Sequence, residues 1–371
     1  MSVESPDIPD NAPLPHREDV QALRGVAALA VLFAHLFVME TKYSLDQLLG
    51  PWAQLGYAGV DLFFVISGFI MVYVTWGTAR GPDAPLPFLW RRVTRIYPLY
   101  WIVSAVVLAV WLLRPEMVFQ SNPDPGIVRS FLLIPQERLP LLTVGWTLIH
   151  EMYFYLVFSL FLLAPRRWMM PLIGAWCVGV SMVATFAPPS DSPWLELVFD
   201  PLLFEFVGGA VIAATLITGR VGGRLATRLF VIGVPLAILI IGNLAVRMPS
   251  GLLEVFQNHL ARSAIIGSAA IFVLAAVVHG VRRVPRGMAW LGDISYSLYL
   301  THILTISAIG RLWSPWAAQG VWDNLLMLAV MVLASVAVAG VIHHLVEAPL
   351  IAWFRRRRRP APPPRGASAA H

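Results

Sequence analysis

Charge is scarce in this chain. Of its 371 residues only 13% are charged and 58% are hydrophobic, and the mean hydropathy is +0.70. A balance this apolar excludes an ordinary soluble enzyme. The net charge of +6 is no sign of nucleic-acid binding, because the arginines collect beside apolar runs. Cysteine is almost absent. The single Cys177 rules out an intrachain disulfide and a cysteine-cluster zinc site, and within its apolar run it reads as a packing residue. No metal site is expected. The start, MSVESPDIPDNAPLPHRED, lacks the basic segment and apolar core of a cleaved signal peptide. Residues 1–18 are therefore expected to be a disordered cytoplasmic lead-in. Residues 351–371 end in RRRRRPAPPPRGASAAH and form a basic, Pro/Ala-rich tail suited to anchoring at anionic lipid.

What the chain has in abundance is apolar runs of membrane-spanning length. They fall near 20–38, 57–76, 96–113, 142–163, 168–187, 200–218, 227–246, 259–279, 289–312 and 322–346. The expectation is an all-α polytopic bundle of about ten transmembrane helices. Alternate connections carry Arg80, Arg91, Arg92 and Arg95, then Arg166 and Arg167, then Arg220, Arg224 and Arg228, then Arg282, Arg283 and Arg286. The opposite connections carry far fewer bases, so the positive-inside rule makes both termini cytoplasmic. No internal repeat of the inverted-transporter kind is evident.

Ionisable groups inside spans cost free energy unless paired or hydrated, so each is a candidate for function. The first span contains LRGVAALAVLFAHL, with Arg24 and His35 eleven residues apart. On a helix they share a face and stand about 16 Å apart along the axis. Arg24 lies near the inner surface, where it could equally snorkel to headgroups, and His35 in the outer half. Asp61 opens the second span at the depth of His35, where the helix dipole alone would also favour it. Glu151 lies well inside the fourth. Arg91, Arg92 and Arg95 stand at the inner edge of the third span, as topology anchors or as an anion clamp. Ser295, Tyr299 and His302 make a polar stripe at i, i+4 and i+7, either bonding between helices or lining a hydrated cavity. Glu205, His150, His343, His344 and Glu347 are weaker candidates.

In order along the chain, Arg24 and His35, GVDLFFVISGF, RRVTRIYPLYW, GWTLIHEMYFY, FEFVGGA, LGDISYSLYLTH and the closing VEAP resemble the acyltransferase 3 family of membrane-bound acyltransferases. The resemblance covers about residues 19–350. It implies an integral-membrane acyltransferase domain over that range, in the cell (inner) membrane. The implied reaction moves an acyl group, most often acetyl from acetyl-CoA, to a hydroxyl of a cell-surface or exported polysaccharide or its lipid-linked precursor. By motif, the resemblance makes Arg24 and His35 the essential pair, with Glu151, Arg92 and Arg95 in support. The ending EAP departs from the usual acidic-basic-proline pattern, and Glu347 receives no role.

These depths suggest a mechanism. Arg24, Arg92 and Arg95 would hold the phosphates of acyl-CoA at the inner face, and the pantetheine arm would run up the bundle to His35. His35 would act as general base on the acceptor hydroxyl, oriented by Glu151 or Asp61; a covalent acyl-histidine is the other route. Tyr299 and His302 would contact substrate. Acyl-CoA is a donor substrate, with no permanently bound cofactor, and the remaining partners are a carbohydrate acceptor and the bilayer, with no nucleic acid. The competing class is a non-enzymatic transporter exporting a glycan or acyl compound; a third is a scaffold in a polysaccharide synthase.

Overall fold

The computed structural model describes residues 14–118, 126–186, 191–219, 255–281 and 283–357. Among these, the secondary structure is helical throughout. Helix α1, Glu18–Tyr43, opens with Glu18 and Asp19, which favour the positive end of the helix dipole, and has Lys42 in its last turn. A 3₁₀ turn, Pro51–Tyr57, leads into α2, Ala58–Thr75. Then come α3, Pro85–Leu113, and the short α4, Ile127–Leu132. They are followed by α5, Gly145–Phe161, α6, Arg166–Phe186, α7, Pro193–Val198, and α8, Leu203–Ile217. Helix α9, His259–Arg262, passes through a π turn, Ser263–Gly267, into α10, Ser268–Gly280. The last elements are α11, Arg286–Asp293, α12, Ser295–Trp313, and α13, Val321–Ile342, which continues through a second π turn, His343–Glu347, into α14, Ala348–Arg356.

Six helical stretches are long and apolar enough to cross a membrane: Glu18–Tyr43, Pro51–Thr75, Pro85–Leu113, Pro193–Ile217, His259–Gly280 and Val321–Arg356. Helices α5, α6 and α12 occupy three more of the expected positions, and the run near 227–246 lies outside the described residues. One expected run is broken: that at 289–312 is divided at Ile294 between α11 and α12, whereas that at 200–218 is preceded by a turn at Asp200 that separates α7 from α8. The third run starts earlier than its apolar residues do. Helix α3 begins at Pro85, a residue tolerated in a first turn, so the arginine segment is already helical.

The outside of the bundle is apolar. Leu113, Leu312, Leu333, Trp316 and Trp322 are all exposed, as suits side chains against hydrocarbon or its interface. Inside, α2 and α8 touch at backbone distance. A Cβ at Gly68 would strike the Phe206 carbonyl and one at Gly209 the Val65 carbonyl, the close approach that small residues permit between membrane helices. Around this seam pack Phe69, Phe154, Phe158 and Phe206. At one end of the bundle Glu40, fully buried, receives the backbone N–H groups of Leu48 at 2.7 Å and Leu49 at 2.9 Å, which fixes the chain after α1. At the other end Arg17 pairs with Asp19 and donates to the Val278 carbonyl at 2.6 Å, tying the start of α1 to the end of α10.

Candidate active site

A cavity of about 550 Å³ opens between α1, α2, α3, α5 and α12. It follows α2 from Val60 to Val74, about 21 Å of helix rise. One end is basic. Arg17, Arg24, Arg92, Arg95 and Arg355 line it, with Glu151 the carboxylate among them. Arg92 and Arg95, one turn apart on α3, face the cavity, and Arg91 is not part of the lining. The Arg92 guanidinium lies 5.4 Å from the Phe88 ring centre and 5.5 Å from that of Tyr155, and its Nε is buried with no hydrogen-bond partner among the described residues. A buried donor left open is costly; here it borders a space that an anion could fill. Arg24 Nη1 donates to Gln21 Oε1 at 3.2 Å.

Glu151 is held from two sides. Ser67 Oγ donates to its Oε1 at 2.8 Å, and the Tyr155 hydroxyl, one turn along α5, donates to the same oxygen. Two donors and nearby guanidinium groups keep a carboxylate stable at this depth.

The far end of the cavity is aromatic and neutral. Phe63, Thr147 and Tyr299 close it; the Tyr299 hydroxyl is 2.7 Å from Thr147 Oγ1, and its ring packs 5.6 Å from Phe63. One ring farther stands His302, and beyond it His35. The Tyr299 and His302 centres are 6.1 Å apart and those of His302 and His35 4.9 Å, with Tyr57 edge-on to His35 at 5.1 Å. The stripe of Ser295, Tyr299 and His302 is thus buried, with Ser295 and Tyr299 lining the cavity and His302 behind them. Ser295 Oγ lines the cavity with no hydrogen-bond partner among the described residues.

Hydrogen bonding fixes the state of the two imidazoles. His302 Nδ1 donates to the Tyr299 carbonyl at 2.9 Å, so in the neutral ring its Nε2, 3.4 Å from His35 Nδ1, is an acceptor. His35 Nδ1 lies 2.8 Å from the Val31 carbonyl and donates to it. A neutral His35 therefore keeps a lone pair on Nε2, which makes no hydrogen bond among the described residues.

Two sequence expectations need correction here. Neither Asp61 nor Glu151 touches His35. Asp61 is fully buried and accepts a bidentate pair from Arg262, Nε at 2.8 Å and Nη2 at 3.0 Å. Glu151 serves the basic end of the cavity instead. Position along a span carries no information about which face meets which neighbour, so it could not assign either carboxylate a partner. What backs the His35 ring is the Val31 carbonyl and His302. Glu205, a weaker candidate in the sequence, accepts from Ser263 at 3.2 Å, and its second oxygen is buried without a partner among the described residues.

Other polar residues escaped sequence reasoning. Arg262 was legible as an arginine inside an apolar run and was the missing partner of Asp61. Tyr155 could have been found as the i+4 neighbour of Glu151. Glu347, given no role, lies in the second π turn, is buried and accepts from Ser297 at 2.7 Å and His343 at 3.0 Å. The loop near 114–141 is drawn onto α3. Tyr97, Tyr100 and Trp101 donate to the carbonyls of Leu132, Ser130 and Phe131, so it packs against the bundle where it is described.

The family profile described as "Acyltransferase domain" matches residues 17–344, nearly the whole length of this helical bundle. The chain belongs to the acyltransferase 3 family. It is 30% identical over 317 residues to the exopolysaccharide production protein ExoZ of Rhizobium meliloti, covering 83% of this chain and 94% of that protein. It is 28% identical to the acyltransferase MdmB of Streptomyces mycarofaciens, covering 92% and 93% respectively. To the peptidoglycan O-acetyltransferase OatA of Listeria monocytogenes it is 22% identical, over 89% of this chain and 55% of that longer protein. No solved structure matches. Membership of the acyltransferase 3 family makes the chain an acyltransferase and, with its six membrane-length helices, a membrane protein; the transporter alternative lapses.

Proposed function

We propose that this acyltransferase is an inner-membrane O-acetyltransferase that takes acetyl from cytoplasmic acetyl-CoA and delivers it to a hydroxyl of a cell-surface or exported polysaccharide, or of its lipid-linked precursor. The observation that carries the reading is a cavity that runs from an arginine-rich end to Tyr299, whose ring centre is 6.1 Å from that of His302, the neighbour of His35. Exopolysaccharide production and peptidoglycan O-acetylation in the named relatives support a carbohydrate acceptor. Residues 19–350 are the catalytic domain, and both termini are cytoplasmic, in keeping with the arginine asymmetry.

In this reading Arg24, Arg92 and Arg95 bind the CoA phosphates through charge-assisted hydrogen bonds, the open Nε–H of Arg92 among them. The arm lies along α2, and the thioester reaches Tyr299 and His302. His35 Nε2 removes the hydroxyl proton as the acceptor oxygen attacks the thioester carbonyl. The tetrahedral intermediate collapses, CoA leaves as thiolate, and the imidazolium returns the proton to its sulfur. His302 keeps the His35 ring in place, the part the sequence reading gave to a carboxylate. Asp61 acts through Arg262 on helix positions, away from the chemistry.

The test is label transfer. Membranes with equal amounts of the native protein or His35→Ala are given radiolabelled acetyl-CoA, and polysaccharide is extracted and counted. Native membranes label polysaccharide, and His35→Ala lowers the rate by at least the factor of about 100 attributed to a general base. Undiminished labelling by His35→Ala would overturn the assignment.

A further inference from the structure

A second polar cluster, apart from the arginine-lined cavity, is built where three helices begin. His150 lies in the second turn of α5, Asp200 in the turn before α8, and His259 is the first residue of α9. Asp200 is buried. Its Oδ2 accepts from His150 Nε2 at 2.9 Å and from His259 Nδ1 at 2.7 Å, while Oδ1 accepts from the Leu202 amide at 2.9 Å.

Donor counting assigns the nitrogens. His150 Nδ1 faces the Trp146 carbonyl at 2.9 Å, so both nitrogens of that ring face oxygen acceptors. His259 donates through Nδ1 only. Its Nε2 makes no hydrogen bond among the described residues, and the side chain is 37% exposed. A carboxylate-backed imidazole with an open Nε2 lone pair is built to accept from a hydroxyl.

Its place relative to His35 gives this nitrogen a use. The continuous helix from His259 to Gly280 carries Val278, tied to Arg17, at its basic end, so His259 stands at the opposite end, with His35. Phe256, one turn before His259, packs 5.8 Å from Tyr57, whose ring is 5.1 Å from His35. Arg262, one turn after, lies 5.5 Å from the rings of both Phe256 and Trp146. The segment carrying His259 is thereby joined to His35 through the ring contacts of Phe256 and Tyr57.

We propose that His259, backed by Asp200, is a binding residue for the acceptor: its Nε2 receives a hydroxyl of a hydroxyl-rich glycan and so presents a neighbouring hydroxyl to His35. The inference rests on the acyl-transfer reading above.

Asn at this position can keep a donor toward Asp200 while removing the Nε2 acceptor, so His259→Asn separates binding from helix anchoring. Purified protein is assayed with radiolabelled acetyl-CoA and the chemically O-deacylated surface polysaccharide of the source cells. The expected result is an unchanged melting temperature, an unchanged KM for acetyl-CoA and a KM for polysaccharide raised about tenfold, the loss of one hydrogen bond. A polysaccharide KM within twofold of native, or equal changes in both KM values, overturns it. A second measurement does not depend on turnover or on the variant folding. Diethylpyrocarbonate modification of His259 in the native protein, read by peptide mass spectrometry, is slowed by the polysaccharide and not by CoA; equal rates with and without polysaccharide overturn the inference. Should the native protein transfer no acetyl, the acyl-transfer reading fails, and this protection result still decides whether His259 binds glycan.

Discussion

The guanidinium of Arg92 has aromatic rings against it and an Nε–H with no partner among the described residues. Such a group gains most from a ligand that brings its own negative oxygens. Arg92→Ala is expected to weaken CoA binding about 10- to 100-fold, the range of a hydrogen bond to a charged group, as measured by equilibrium titration of purified protein. Arg92→Lys restores little of this, since an ammonium cannot reproduce the planar fork between the rings. Glu151 poses the opposite case. It is the carboxylate among the cavity arginines, so Glu151→Gln leaves their charge less balanced. The empty protein should lose roughly 1–3 kcal/mol of stability and bind anionic CoA at least as tightly as the native protein. Thermal denaturation with and without CoA tests this: weaker CoA binding by Glu151→Gln would contradict a charge-balancing role.

At the scale of the helices, the α2–α8 seam carries the cavity wall, because Ser67 and Ile66 line the cavity while Gly68 meets α8. Gly68→Ala and Gly209→Ala each put a methyl group into a carbonyl of the facing helix. Backbone on both sides leaves no flexible side chain to yield, so the cost should reach or exceed roughly 3 kcal/mol. Membrane abundance and melting temperature check this; native-like values for both variants would mean the helices are not in backbone contact.

The same seam shows what was legible beforehand. Length and hydropathy located α1, α2, α3 and α10, because a helix that must satisfy its own backbone in lipid announces itself by an apolar run. The break before Asp200 and the π turn at Glu347 were hidden, since both are set by contacts with other helices. For the site, polarity inside spans singled out Arg24, His35, Glu151, Tyr299 and His302. Partnership did not follow: Asp61 belongs to Arg262 and His35 to His302. Asp200 and His259 went unread because each stands at the end of an apolar run, where a polar residue looks like ordinary solvation.

For the whole molecule the account requires a direction. The arginines and the tie between Arg17 and Val278 mark one end of the bundle, and His35, Tyr57 and His259 mark the other. Reporter fusions at either terminus should report a cytoplasmic location; an external report for either would invert the proposed route. The decisive measurement puts donor and acceptor on opposite sides of a sealed membrane. Inside-out vesicles are loaded with O-deacylated polysaccharide and given radiolabelled acetyl-CoA outside, with vesicles carrying His35→Ala as the control. Passage of the acyl group through the bundle predicts label on the enclosed polysaccharide in native vesicles alone. Label appearing only when polysaccharide and acetyl-CoA share the outer face would contradict it.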